Sequence, residues 1–208
     1  MPAEARRARI LDAALAVFAD AGYAGASMHA IAHRAGVVPS VIYDHFPSKR
    51  ELYIAIVEAR GEAAVVRTTR QIPQTTPQGA LHATLEAFFS QVEEDRFFWR
   101  FLLRDPPADP EIAQLHQAIK DRATHGLAAL VDALAPEGDA MRGVPRERWS
   151  WMLALASLAA ANGLAGWWYE HPEVPRDELV TVASALLWEG FGGLWTQAAE
   201  GGLPGDSR

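Results

Sequence analysis

The amino-acid sequence predicts an all-α protein, with a unit of three short helices at its N-terminus and a helical bundle behind it. Apolar residues recur at spacings of three and four along almost the whole chain, and no strand-like alternation persists. Glycine and proline residues separate the periodic segments, and no segment is repeated. Half of the 208 residues are hydrophobic, so the chain can bury a sizeable core.

The first two helices are predicted from their apolar stripes and from the residues at their ends. The first helix should stop at Gly22, because glycine tolerates the left-handed conformation at a helix end. Ser27 is typical of the N-cap of a second helix, and Gly36 is typical of its end. The stripe of the first helix is Ile10, Leu11, Ala14, Val17 and Phe18, and that of the second is Met28, Ile31, Ala32 and Ala35.

A short third helix and a longer fourth helix follow. Pro39 suits the first turn of a helix that runs to about His45, and Pro47 ends it. The segment Ser-Lys-Arg-Glu at residues 48–51 is a capping box, in which the serine and glutamate side chains satisfy backbone N–H groups at a helix start. The fourth helix should fade before the Thr, Gln and Pro residues around Pro73.

Four or five further helices are predicted, at about 78–94, 96–104, 110–134, 146–170 and 176–199, of which the one at 96–104 is short and aromatic. The tail from residue 201 is rich in Gly and Pro, and we expect it to be disordered. These elements indicate an N-terminal domain at 1–50, a C-terminal helical domain at 51–200 and a flexible tail at 201–208. The stripe predicted for the last helix is Leu179, Ala183, Leu186, Leu187, Gly190, Phe191 and Leu194.

Charge is distributed unevenly along the chain, whose formal net charge is -7. Through Arg60, seven Lys and Arg residues stand against six Asp and Glu, whereas the remainder has twelve against twenty. An acidic C-terminal body would be repelled by phosphate, so the N-terminal region is the plausible surface for contact with nucleic acid. The lack of cysteine excludes disulfides and thiolate metal sites, and it fits a reducing cytoplasm.

No membrane segment is predicted. The N-terminus is polar and lacks the apolar stretch of a secretory signal. Residues 149–169 carry no charged side chain and are long enough to span a bilayer, but they are rich in Ala, Gly and Ser and poor in large aliphatic residues. We therefore interpret this segment as a helix buried in protein, and we expect a cytoplasmic protein without a membrane partner.

Two short helices joined by a glycine-containing turn, and braced by an amphipathic first helix, are the pattern of a helix-turn-helix, which places a recognition helix in the major groove. The residues from Ile10 to Val57 also resemble the TetR family of transcriptional regulators. The matching segments are ILDAALAVF (10–18), GY (22–23), SMHAIA (27–32), AGV (35–37) and IYDHFPSKREL (42–52). The resemblance implies a homodimer whose N-terminal domain binds double-stranded operator DNA and whose C-terminal bundle binds a small effector.

The resemblance and the chemistry of the side chains give a set of candidate DNA contacts. Ser27 should cap the second helix and also offer its hydroxyl to a phosphate, since the family uses this position in both ways. Tyr43 can direct its phenol at the DNA backbone, and His45 can donate to phosphate or pack beneath the third helix. Lys49 lies where a cation is a poor partner for the helix dipole, which indicates an anion nearby. The full set is Ser27, Met28, Val38, Pro39, Ser40, Val41, Tyr43, Asp44, His45 and Lys49.

The start of the third helix departs from the family pattern. Where the family often has Ser-x-Gly, this chain has Val38-Pro39-Ser40, so the close backbone approach of a glycine to DNA is lost. Ser40 can restore part of the contact through its hydroxyl, and Val41 could meet a thymine methyl group. Asp44 can accept from a cytosine amino group, but a phosphate would repel it.

The end of the chain also resembles TetR-type regulators, in the segments WWYEHP (167–172), PRDEL (175–179) and ALLWEG (185–190). In that family the last two helices pair with their copies in a homodimer, and small residues suit such close approach of helices. The alternative is that the small residues pack within one subunit. They are Ala156, Ala159, Ala160, Gly163, Gly166, Gly190, Gly192 and Gly193.

Aromatic and aliphatic residues of the C-terminal domain could line a pocket between helices for a small apolar or aromatic effector, or they could be ordinary core. Arg100 and Arg104 could pair with an anionic group or lie in water. The candidate effector contacts are Phe88, Phe98, Trp99, Leu102, Leu103, Trp151, Leu155 and Trp167.

An enzyme is not predicted. The sequence lacks Gly-x-Ser-x-Gly, His-Glu-x-x-His and a phosphate-binding glycine loop, and its seven histidines have no metal-ligand spacing, so no catalytic residue, metal or cofactor is expected. The sequence instead indicates a ligand-responsive repressor that binds a palindromic operator as a dimer. The alternative is a TetR-like DNA-binding structural or partner-binding protein without an effector. A cavity in the C-terminal half would favour the sensor, and a filled core the alternative.

Overall fold

The computed structural model describes residues 2–69, 76–135, 140–141 and 143–199, and their side chains except those of 68–69, 140–141 and 191–199. Within these ranges the chain forms nine helices and one short antiparallel ribbon, which confirms the all-α fold class. The helices are α1 (Ala3–Gly25), α2 (Met28–Ala35), α3 (Pro39–His45), α4 (Lys49–Thr69), α5 (Pro77–Glu94), α6 (Arg96–Leu103), α7 (Pro110–Leu134), α8 (Arg146–Glu170) and α9 (Arg176–Ala199). The ribbon pairs β1 (Ala140–Met141) with β2 (Val144–Pro145).

The start and end of α2 match the prediction, whereas α1 breaks at the predicted Gly22 but ends only at Gly25. Helical geometry inside α1 is interrupted at Gly22, whose φ of 69° and ψ of 174° no other residue type adopts readily, although a further turn carries α1 to Gly25. The hydroxyl of Ser27 accepts from the N–H of Ala30 at 3.1 Å and caps α2. Gly36 ends α2 in the left-handed conformation, with φ 63°.

The third and fourth helices also follow the prediction. Pro39 begins α3, which runs to His45. The hydroxyl of Ser48 accepts from the N–H of Glu51 at 3.1 Å, which is the serine half of the predicted capping box. The carboxylate of Glu51 lies beside the guanidinium of Arg50, at 3.4 Å. Pro73 and the tail from residue 201 lie outside the described residues.

Contacts divide the chain into two compact units. Unit 1 joins Met1–Val66 to Gln91–Lys120, and unit 2 joins Arg67–Ser90 to Asp121–Arg208. The first half of α7, and all of α6, thus pack with the helix-turn-helix. The functional domains at 1–50 and 51–200 stay a prediction, because compactness alone does not assign a function.

The core of unit 1 is an aromatic cluster between α1, α4 and α6. Phe18 is fully buried, and its ring centroid lies 5.3 Å from that of Tyr53 and 6.1 Å from that of Phe101. Phe98 is buried beside Phe101, with 6.4 Å between the ring centroids. Phe98, a candidate effector contact, therefore belongs to the core of unit 1.

The core of unit 2 lies between α5, α8 and α9. Phe89 is fully buried, and its ring packs edge to face with Trp168, with 6.1 Å between the ring centroids. The indole N–H of Trp168 donates to the carbonyl of Val174 at 2.8 Å. Arg176, at the start of α9, pairs with Glu86 of α5 at 3.0 Å. Among the described residues, no helix combines the length and the hydropathy needed to cross a membrane.

The stripe predicted for the last helix is correct in part. Leu179, Ala183 and Leu187 are buried, but Leu186 is 60 % exposed. Its exposure is a consequence of helical rotation, because consecutive residues of a helix point about 100° apart and cannot share one buried line. The side chains of Phe191 and Leu194 lie outside the described residues.

Candidate DNA interface and effector cavity

The second and third helices present a small polar and apolar face to solvent. Ser40, Tyr43 and Asp44 are exposed at a spacing of three and four along α3, so they share one side of the helix. Ile42 is fully buried on the opposite side and anchors the helix to the core. Val38 is 61 % exposed and Tyr43 is 49 % exposed, and large apolar side chains at such exposure are free to meet base edges. Pro39, Val41 and His45 are half-buried at the margin of this face.

Ser27 has the geometry for two functions at once. Its hydroxyl oxygen accepts the capping hydrogen bond from Ala30, while the side chain stays exposed. The hydroxyl hydrogen is therefore available to a phosphate oxygen.

Met28 requires a correction. It was included among the candidate DNA contacts, but it is only 8 % exposed and packs with Ile31 and Ala32 on the buried side of α2. The inward stripe predicted for α2 is thus confirmed at Met28, and a base contact would require the side chain to leave the core.

Lys49 has internal partners that the sequence analysis did not foresee. Its ammonium donates to the carbonyls of Tyr23 at 2.7 Å and Ala26 at 2.9 Å, and it lies 4.4 Å from the ring centroid of Tyr23. These carbonyls follow the break at Gly22, so Lys49 ties the end of α1 to the start of α4. These partners account for a cation at this position without a nearby anion, and contact with phosphate stays a prediction that uses the third N–H of Lys49.

Arg50 forms an ion-pair cluster that the sequence analysis missed. Its guanidinium donates to Asp109 at 2.8 Å and also contacts Glu111, and both acids stand at the start of α7. Hydrogen bonding to Arg50 holds the pKa of Asp109 below its usual range, and hydrogen bonds from the N–H groups of Ile112 and Glu111 add to this shift. The pKa of Arg50 is raised in turn, chiefly by Asp109 and then by Glu111. Such a cluster cannot be found from spacing, because its members lie about sixty residues apart in the sequence.

A buried histidine joins α7 to α4. The phenol of Tyr53 lies 2.9 Å from Nε2 of His116. Burial lowers the pKa of His116 and raises that of Tyr53, so both groups stay neutral at neutral pH. A neutral imidazole and a neutral phenol can share one hydrogen bond without an uncompensated charge.

Two arginines of α1 lie against the helix-turn-helix. Arg9 donates to the carbonyl of Gly36 at 3.2 Å, and the guanidinium of Arg7 lies 5.1 Å from the ring centroid of Phe46. Both side chains add positive charge beside α3, which favours phosphate. Neither arginine is among the residues predicted to contact DNA, although their clustering at the basic N-terminus is a usable sequence signal.

The eight candidate effector contacts are not brought together in one unit. Phe98, Trp99, Leu102 and Leu103 lie in unit 1, where Phe98 and Trp99 are buried core. Phe88, Trp151, Leu155 and Trp167 lie in unit 2. Trp151 packs on His125, with 4.6 Å between the ring centroids, and Trp167 stacks on His171, with 4.2 Å between the ring centroids. Phe88 lines a cavity of unit 2, and its contact with an effector stays a prediction.

Two adjoining cavities of about 50 and 40 Å³ lie in unit 2, between α5, α7 and α8. Both are lined by Leu81, Thr84, Leu127 and Ser157. The first also touches Trp188 of α9, and the second reaches Phe88 and Ala161. A wider open cleft between α5 and α9 shares Leu81 and Trp188 with the first cavity. These two side chains therefore lie where the first cavity opens into the cleft.

Helices α8 and α9 leave an apolar face without cover in the described chain. Leu155 and Trp167 of α8 and Val182 and Leu186 of α9 are exposed by 40 to 60 %. Small residues lie between them, and a Cβ atom built on Gly163 would meet nothing within 4 Å. The same holds for Gly166 and Gly190. Packing within one subunit therefore does not account for these glycines.

Comparison with known proteins agrees with this geometry. Residues 10–56 match the family model described as bacterial regulatory proteins, tetR family, and residues 77–190 match the one described as the tetracyclin repressor-like C-terminal domain. The chain belongs to the TetR family. As a TetR-family member it is a DNA-binding transcriptional regulator with a helix-turn-helix.

Individual relatives support the assignment over most of this TetR-family chain. It is 31 % identical over 195 residues to the HTH-type transcriptional activator FasR of Mycolicibacterium smegmatis, covering 92 % of this chain and 85 % of FasR. A TetR-like regulator from Rhodococcus sp. RHA1 is similar in structure, with a TM-score of 0.72 and 26 % identity over 93 % of this chain and 99 % of that one. FadR from Bacillus subtilis, solved in complex with stearoyl-CoA, shares the fold at a TM-score of 0.67 and 19 % identity, over 86 % of this chain and 96 % of FadR.

Proposed function

We propose that this TetR-family regulator binds an inverted-repeat operator as a homodimer and represses transcription until a small uncharged apolar or aromatic effector releases it. The observation that carries the proposal is the exposed face of Ser27, Val38, Ser40, Tyr43 and Asp44 on the helix-turn-helix. Phosphate contacts from Ser27 and Tyr43 would set its position, and the short side chains of α3 would read base edges. A protein that binds operator DNA in this way would act in the cytoplasm.

The uncovered face of α8 and α9 supports the homodimer. Its exposed Leu155, Trp167, Val182 and Leu186, with glycines between them, suit close packing of two helices against their copies. A two-fold dimer carries two recognition helices related by its axis, and these require two half-sites of opposite direction.

The cavities in unit 2 support the effector. Their walls are almost wholly apolar, and the acidic C-terminal half disfavours polyanions. FadR from Bacillus subtilis, which shares this fold, was solved in complex with stearoyl-CoA, whose acyl chain is apolar and whose CoA group is charged, so it supports a ligand site in the fold but not an uncharged ligand. An effector would act only if it bound the DNA-incompetent state more tightly, and a coupling of about 1–3 kcal/mol would already change operator affinity several-fold to a hundredfold.

Activation of transcription is a second candidate, because FasR, which aligns with almost the whole chain, is an activator. The two candidates share the DNA contacts and differ in where the operator lies relative to the promoter. The alternative without any effector is less well supported, since unit 2 contains cavities where a filled core would be expected.

The experiment is selection of bound fragments from randomised and genomic DNA with the purified protein, followed by footprinting. We expect an inverted repeat, protection of both half-sites, and loss of that site in Tyr43→Ala. A reporter fused to the selected promoter then separates the candidates, because a repressor lowers its output and an activator raises it. Binding without sequence preference, or to a single half-site, would contradict the proposed dimeric regulator.

A further inference from the structure

Ser157 is a buried polar group for which DNA binding and dimerisation have no use. It lies on α8, is 8 % exposed, and lines both cavities of unit 2. Its hydroxyl makes no hydrogen bond within the part of the chain that the structure describes. Its oxygen is open to the cavity, since it is not among the enclosed side-chain atoms without a partner, and its place in an otherwise apolar wall points to a ligand that supplies the partner.

Thr84, across the same cavities, shows the contrast. Its hydroxyl donates to the carbonyl of Ala80 at 2.7 Å, so its hydrogen-bonding capacity is used inside α5. The side chains beside Ser157 in the shared wall, Leu81 and Leu127, are aliphatic. Ser157 thus offers a hydrogen bond at one point of a surface that otherwise excludes polar groups.

The position of Ser157 and the charge of its surroundings define the ligand further. It lies where the two cavities meet, with apolar wall on both sides, so the polar group of the ligand must lie within the molecule and not at its end. Neither cavity is lined by Lys, Arg, His, Asp or Glu, and a charged group would lose its hydration there without compensation. The open cleft beyond Trp188 carries Glu189 and His82 as its ionisable groups, which does not suit a polyanion.

We infer that the effector is a slender uncharged molecule with a carbonyl or hydroxyl group flanked by apolar segments on both sides, and that Ser157 hydrogen-bonds this group. The inference rests on the proposed ligand-responsive function, and it names the ligand class and the residue that reads it. The ligand enters from the cleft between α5 and α9, past Leu81 and Trp188.

The test compares ethyl propyl ketone with n-hexane, which has the same carbon chain and no polar group, by ligand-observed NMR on the full-length protein without DNA. We expect the ketone to bind about fivefold more tightly, which is the effect of one neutral hydrogen bond of about 1 kcal/mol. Ser157→Ala should remove the preference for the ketone while it keeps the binding of n-hexane. Thr84→Val is the matched control, and it should keep the preference because its hydroxyl already has an internal partner.

Thermal unfolding of the ligand-free protein gives an independent readout. Ser157→Ala should leave the melting temperature unchanged or raise it, because the variant removes a polar group without a partner. A clear fall in the melting temperature would reveal an internal partner of the hydroxyl and overturn the inference. Equal binding of ketone and n-hexane, absence of ketone binding, or tighter binding of hexanoate or hexanoyl-CoA would overturn it as well. Because these measurements use no DNA, failure of the proposed regulation appears separately, as ligand binding that never weakens the operator complex.

Discussion

Replacement of Lys49 by Met tests whether this residue holds the fold, contacts DNA, or does both. Methionine keeps an unbranched apolar stem of similar length over Tyr23 and removes the ammonium. The change deletes two hydrogen bonds to carbonyl groups, at 2.7 and 2.9 Å, and a cation–π contact at 4.4 Å. Hydrogen bonds from a charged donor contribute roughly 1.5–3 kcal/mol each, and they are not additive when they share one donor.

We expect Lys49→Met to lower the free energy of unfolding by about 2–3 kcal/mol, since the carbonyls of Tyr23 and Ala26 lose their partner at the end of α1. The assay is urea denaturation at one subunit concentration, because the stability of a dimer depends on concentration. Operator binding, measured across salt concentrations on the folded variant, reports the phosphate contact as a change of about one unit in the salt slope.

The control is Ser40→Ala, at an exposed position of the recognition face. It should weaken operator binding and leave the free energy of unfolding within about 0.5 kcal/mol of the wild type, as surface substitutions do. If Lys49→Met were equally neutral for stability, the role of Lys49 in joining α1 to α4 would be refuted.

Three further predictions address the cap, the dimer and the buried histidine. Ser27→Asp should keep the stability of the protein, because aspartate is an equally good N-cap, but it should weaken operator binding because its carboxylate repels phosphate. Ser27→Ala should lower the free energy of unfolding by about 1 kcal/mol. Equal DNA affinity of Ser27→Asp and the wild type would remove Ser27 from the interface. Leu186→Glu should yield monomers in light scattering at micromolar concentration. The control Val66→Glu, at an equally exposed apolar position of α4, should stay dimeric. A dimeric Leu186→Glu would place the interface elsewhere. His116 has a pKa below its unfolded value of about 6.5, so the unfolded chain binds more protons and the free energy of unfolding falls as the pH drops below about 6.5. Urea denaturation at several pH values should show a smaller loss of stability in His116→Gln than in the wild type. An identical dependence of stability on pH in the two proteins would contradict the burial argument.

Helix ends were predictable because their causes are local. The left-handed conformation of Gly36, the capping hydroxyl of Ser27 and Pro39 at the first turn of α3 each act within four residues of the helix end that they define. The exposed face of α3 followed from the same kind of information, since one face of a short helix must be buried and the other is then free.

Features that depend on distant partners were not predictable. Lys49 is held by carbonyls more than twenty residues away, and Arg50 by carboxylates about sixty residues away. Phe98 and Trp99 are predicted effector contacts but are buried in unit 1, because an apolar helix carries no sequence signal for the surface against which it packs. The unpartnered hydroxyl of Ser157 is visible once the cavity exists, and the sequence around it is an ordinary run of Ala, Leu and Ser.

Helices α4, α5 and α7 each continue without a break from one compact unit into the other: α4 between Val66 and Arg67, α5 between Ser90 and Gln91, and α7 between Lys120 and Asp121. No loop lies at these points, so one unit cannot unfold by melting a loop while the other stays intact. Unfolding of one unit must break helical hydrogen bonds of the turn that continues into the other unit. Two hydrophobic cores would then share one cooperative transition. A single heat-absorption peak in calorimetry, with equal calorimetric and van't Hoff enthalpies per cooperative unit, is the signature of such shared helices.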